Sequence, residues 1–101
     1  MEREEKEYII WPAYFDSSLP RRLGRKVPLS KAIKNPTIND ILKACKELKL
    51  ECEVNEETKY PRAWYLHKGY VRVKFHGSKS ELLRILAKKI SQIRGLESTS
   101  I

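Results

Sequence analysis

Residues 70–93 read YVRVKFHGSKSELLRILAKKISQI, and two different periods meet inside them. From Tyr70 to Phe75 the chain alternates: Val71, Val73 and Phe75 fall on one side, and Tyr70, Arg72 and Lys74 on the other. That is the two-residue repeat of a half-buried strand. Past His76 and Gly77, Leu82, Leu83, Leu86, Ile90 and Ile93 recur in steps that give a helix one apolar stripe. Ser78 and Glu81 stand at capping-box spacing ahead of that stripe, and Gly95 is predicted to end the helix. A strand and a helix that are each apolar on one side hide those sides by packing together, which predicts an α+β layered fold.

The rest of the chain supplies the other layers. Upstream, Thr37 and Asp40 form a second capping-box pattern, followed by Ile38, Ile41, Leu42, Cys45 and Leu48 at helical spacing. This predicts a helix ending near Lys49. Leu50-Glu-Cys-Glu-Val54 alternates again and reads as a strand, with Asn55 to Lys68 as a polar loop. A first strand is expected from Tyr8 to Trp11, closed by Pro12, which cannot donate to a ladder. The order is β-α-β-β-α, a two-layer sandwich with both helices on one sheet face. The other face would carry Tyr70, Arg72 and Lys74 into solvent, a possible platform for RNA. At 101 residues there is room for one domain, residues 1–101, with loose tails at about 1–7 and 96–101.

Charge narrows the function. The net charge is +8, and it is unevenly spread. Between Tyr8 and Lys46 the only acids are Asp16 and Asp40, whereas glutamates collect at Glu2–Glu7 and Glu47–Glu57. A basic surface of this kind calls for a polyanionic partner. Enzyme chemistry is poorly provided for. His67 and His76 lie in no motif with a nucleophile, Asp16 is isolated among cations, and there is no glycine-rich phosphate loop. Cys45 and Cys52 fall on apolar faces and read as core packing in a reduced, intracellular protein, without metal or other cofactor. No apolar run is long enough to span a membrane, and the glutamate-rich start is unlike a targeting peptide, so a cytoplasmic monomer is expected.

The densest binding signal is Pro20-Arg-Arg-Leu-Gly-Arg-Lys-Val-Pro-Leu-Ser-Lys-Ala-Ile-Lys34, with six cations and no acid, inside a long loop from Asp16 to Pro36. Arginine forks suit phosphates and guanine edges, so Arg21, Arg22 and Arg25 are candidate contacts, and Lys26, Lys31 and Lys34 add less directional attraction. Gly24 permits a tight turn. Tyr14 is the aromatic expected to reach a base or a polar partner, while Trp11 and Phe15 read as core. Lys59-Tyr-Pro-Arg-Ala-Trp64 forms a second basic-aromatic cluster in which Arg62 is the candidate contact. A self-repelling loop of this composition is expected to be mobile until RNA orders it. The alternative is a solvated basic loop with no site.

Trp11-Pro-Ala-Tyr14, Gly24-Arg-Lys-Val-Pro28 and Ser30-Lys-Ala-Ile-Lys-Asn-Pro-Thr37, taken together, resemble the family of the nineteen-kilodalton protein of the signal recognition particle, in its short archaeal form. The likeness runs from about Tyr8 to Phe75. It implies a three-stranded antiparallel sheet and no catalysis. It also implies binding to the S domain of the particle's RNA, where the protein clamps the tips of helices six and eight. That arrangement prepares the RNA for the particle's GTPase subunit, a partner reached through the shared RNA. Carried over by motif, Tyr14, Arg25, Lys26, Ser30 and Lys31 are implied contacts. Arg21 and Arg22 rest on composition, and Pro61 and Arg62 match a second patch of the family. A ribosomal or RNA-processing accessory protein would share the same charge and platform and is the competing reading.

Overall fold

The computed structural model describes residues 5–59 and 68–99. Three strands, β1 (Lys6–Ile10), β2 (Cys52–Lys59) and β3 (Lys68–Phe75), form one antiparallel sheet in the order β1-β3-β2. Two helices, α1 (Ile38–Glu47) and α2 (Lys79–Thr99), cover one of its faces. The alternation in β3 decides which face: Val71 and Val73 are fully buried, together with Ile10 of β1. Against them lie Ile41 and Cys45 of α1 and Leu82, Leu86 and Ile90 of α2. Removing such side chains from water is the main drive for the two layers to close.

Both helices begin as their sequences predict. Thr37 Oγ1 accepts from the Asp40 N–H, and the Asp40 carboxylate accepts from the Thr37 N–H at 2.8 Å, a complete capping box. Ser78 Oγ accepts from the Glu81 N–H. α1 stops two residues before Lys49 through a pair of back-bonds, Leu50 N–H to Cys45 O and Lys49 N–H to Lys46 O. This is a Schellman ending with Lys49, at φ 58°, in the place glycine usually holds.

Several boundaries differ from the sequence reading. β1 starts at Lys6 because its register pairs Lys6 with Phe75 at the far end of β3, so part of the expected acidic tail is strand. β2 runs to Lys59, beyond Val54, so the first part of the supposed polar loop is strand. Asn55 makes this possible: its side-chain oxygen accepts from the Glu57 and Thr58 backbone and from the Thr58 hydroxyl, absorbing a register break before Lys59 rejoins Lys68. β3 begins at Lys68, two residues before Tyr70, where Gly69 at φ 90° crosses closely under Asn55 and Ile38. α2 continues through Gly95 to Thr99, because an exposed glycine weakens a helix by only about 1 kcal/mol and need not end it.

Candidate RNA-binding surface

The long loop is built into the core. Pro12–Phe15, Arg21–Leu23 and Leu29–Lys31 are short 3-10 turns, and Leu19, Val27 and Ile33 between them are 3%, 2% and 4% exposed. Backbone bonds tie its two arms together: Ser17 N–H to Ile33 O, Ile33 N–H to Phe15 O and Lys26 N–H to Tyr14 O, at 2.9, 2.6 and 2.8 Å. Gly24, at φ 126°, turns the chain after Arg21–Leu23. The expectation of a loop without order until RNA arrives is therefore corrected. Its apolar residues lack a period because they fill a gap beside the core one at a time.

This packing sorts the side chains. Arg21, Arg22, Lys26, Ser30, Lys31 and Lys34 are exposed. Asp16, the loop's one acid, is 4% exposed and turned inward, where Oδ1 accepts from the Ser18 N–H and hydroxyl and caps the turn. From Ser17 to Asn39 the surface carries cations without a carboxylate. Arg25 is the exception among the arginines. Its Nε donates to Leu19 O at 2.9 Å and its Nη1 to Val27 O at 2.6 Å, so it braces the loop across Gly24.

Tyr14 departs from its expected contact with a base, because it is 7% exposed and a stacked base needs an open ring face. The Lys26 and Lys79 ammonium groups lie 5.6 and 4.9 Å from its ring centroid, and Lys79 Nζ donates to its hydroxyl at 3.3 Å. The ring orients two cations through its π-face. Burial lowers the Lys79 pKa, with the neighbouring Tyr8 opposing that shift. Trp11 is half-buried, edge-on to Tyr70 with centroids 5.0 Å apart.

The outer sheet face is not the cationic platform expected from Arg72 and Lys74. Cross-strand register sets Glu53 opposite Arg72 and Glu7 opposite Lys74. Arg72 pairs with Glu53 at 3.7 Å and Lys74 with Glu51 at 3.2 Å. The hydrogen bond from Lys74 to Glu51, then the attraction of that carboxylate, raises the Lys74 pKa. Pattern alone separated the two sides of β3 but could not see which β2 residues would face them. Residues 60–64 of that cluster, Arg62 and Trp64 among them, lie outside the described residues.

Two cations not singled out from sequence join the loop in space. Lys79 and Arg84 of α2 face Lys26 and Pro28 across an open groove of about 520 Å³. Their signal was the clean i, i+4, i+5 neighbourhood of Lys79, Leu83 and Arg84 on the first turns of a capped helix, uninformative until the loop is placed beside it. Among the described residues no cluster of three or more His, Cys, Asp or Glu could hold a metal. Burial, with Cys52 beside it, pushes the Cys45 thiol up to about 12, far from a nucleophile's range. No helix among the described residues is long and apolar enough to cross a membrane.

Comparison with known proteins agrees with this geometry. The sequence profile described as SRP19 protein matches residues 9–93. The signal recognition particle 19 kDa protein of Methanothermobacter thermautotrophicus is 42% identical over 86 residues, covering 85% of this chain and 94% of the relative. A crystal structure of SRP19 in complex with the S domain of signal recognition particle RNA superposes with a TM-score of 0.77 at 44% identity, covering 82% of this chain and 95% of that one. The Pyrococcus furiosus SRP19 structure gives a TM-score of 0.81 at 30% identity, with 95% and 98% covered.

Proposed function

Since the chain belongs to the SRP19 family, we propose that it binds the S domain of signal recognition particle RNA in the cytoplasm as an assembly protein without catalysis. The observation that carries the reading is the loop from Ser17 to Pro36: cations outward, its flanking acid buried, and its shape held by core packing. Arg21, Arg22, Lys26, Ser30, Lys31 and Lys34 are the proposed contacts, with Arg25 and Tyr14 holding the loop and its lysines in place. Arg62 remains a proposed contact on sequence grounds. Arg72 and Lys74 are proposed to contribute little, because cross-strand glutamates already hold them.

The mechanism follows from charge. Two RNA hairpin tips brought side by side repel through their phosphates, and a rigid cationic body between them offsets that repulsion. Clamping the tips of helices six and eight in this way would fix the geometry that the GTPase subunit then recognises. A preordered loop favours this role, since less backbone freedom is lost when RNA arrives.

The deciding experiment is titration of the purified protein with S-domain RNA and with an unrelated hairpin RNA of equal length, at physiological salt. A large preference for the S domain is expected. Equal, salt-sensitive binding to both would leave a generic basic RNA binder. Chemical probing that found the two tips already docked without protein would remove the clamp.

A further inference from the structure

The groove between the loop and α2 brings together residues that neither the sequence motifs nor the loop's own charge pattern joins. Lys26 and Pro28 form one wall; Lys79, Ser80, Leu83 and Arg84 form the other. Every charged residue in this lining is a cation. Arg84 and Ser80 are exposed, and Leu83 lies buried at the base. Lys79 is held rather than free to wander, with its ammonium on the Tyr14 ring and hydroxyl. Lys26 is drawn to the same ring from the loop.

Two ammonium groups gathered around one buried ring repel each other, and the apolar protein behind them directs their field outward into the groove. An anion between them relieves that repulsion. The groove is also continuous with the exposed loop cations through Lys26, which both surfaces share.

We propose that this groove seats backbone phosphates of the same RNA, so that the loop and the first turns of α2 form one binding surface. Lys79 is a positioned point charge, Arg84 a planar fork for a phosphate oxygen pair, and Ser80 a neutral hydroxyl donor between them. Leu83 and Pro28 give the ribose edge an apolar seat. An acidic protein segment is the other polyanion that could fit, but continuity with the loop favours RNA. The proposal rests on the RNA-binding reading above.

Its test is the slope of log affinity against log salt for S-domain RNA. Arg84→Ala and Lys79→Met, the latter keeping an apolar stem against Tyr14, should each lower the slope by about one unit and weaken binding roughly 5- to 20-fold. Lys46→Ala, which removes the same charge from the exposed side of α1, should leave the slope close to that of the unmodified protein. If Lys79→Met melts early, Arg84→Ala decides alone. Unchanged slopes and affinities in a protein that still prefers S-domain RNA would overturn the groove and leave the loop's role standing. So would weaker binding at an unchanged slope. Loss of the preference in the unmodified protein would instead remove the parent reading.

Discussion

Arg94, late in α2, holds Asp40, early in α1, with two nitrogens: Nη2 at 2.5 Å from Oδ2 and Nε at 3.2 Å from Oδ1. The same guanidinium donates to Lys34 O and Asn35 O, near the end of the basic loop and just ahead of α1. Asp40 is also the capping-box carboxylate of α1, so one side chain joins the loop's exit, the start of one helix and the end of the other. The Asp40 side chain is 13% exposed and that of Arg94 32%. Arg94→Ala leaves the carboxylate and two carbonyls without these donors. It should cost about 2 kcal/mol after allowing for solvent at the arginine, read from urea unfolding.

The pair also sets an acid limit. Burial alone would raise the Asp40 pKa, but hydrogen bonds from Arg94 and the Thr37 backbone outweigh it, and the value falls below the ordinary 3.8. A depressed carboxyl adds stability that is fully present above the unfolded-state pKa and is lost as pH falls through the folded one. The stability gap between the unmodified protein and Asp40→Asn should therefore stay level from neutral pH down to about pH 5. It should then narrow toward pH 3. A gap that widened in acid would contradict this sign.

Two glycines should respond in opposite directions. Gly95 is helical and exposed, and an added Cβ would meet nothing within 4 Å, so Gly95→Ala should stabilise by about 0.5–1 kcal/mol. Gly69 sits at φ 90°, where a Cβ would meet Asn55 O at 2.9 Å and the Ile38 side chain. Gly69→Ala should destabilise by about 2 kcal/mol or more. Thermal melts of the two variants give the comparison directly.

Arg25 and Arg21 should separate bracing from contact. With its Nε and Nη1 spent on Leu19 O and Val27 O, Arg25→Ala should loosen the loop. Amide exchange at Lys26 and Ile33 should then speed up, and RNA affinity should fall with little change in salt slope. Arg21→Ala should leave exchange unaltered and lower the slope by about one unit. A reduced slope for Arg25→Ala would make it a phosphate contact after all.

What the sequence makes legible follows from which interactions are local. Caps at Thr37 and Ser78, the alternation in β3 and the acid-free run after Asp16 each involve neighbours in the chain, and each appears in the fold as read. Most of the misses depend on the folded path of the chain rather than on local spacing. Glu53 beside Arg72 needs the β2–β3 register, Arg25 inside the loop needs its folded path, and Lys79 beside Lys26 needs both. Motif resemblance marked Arg25 and Tyr14, and the structure gives them supporting positions behind the exposed lysines. Gly95 misled because glycine is a permissive residue as well as a terminating one.

The outer sheet face carries mixed, mutually paired charge, while the exposed charges of the loop and of the groove it forms with α2 are cations. A molecule so lopsided experiences a torque in the field of a polyanion. Within a Debye length, about 8 Å at physiological salt, rotational diffusion is biased and the cationic side turns forward before any contact forms. Encounters are thus aligned rather than random. Added salt should slow complex formation through this lost alignment, separately from its effect on how long the finished complex lasts.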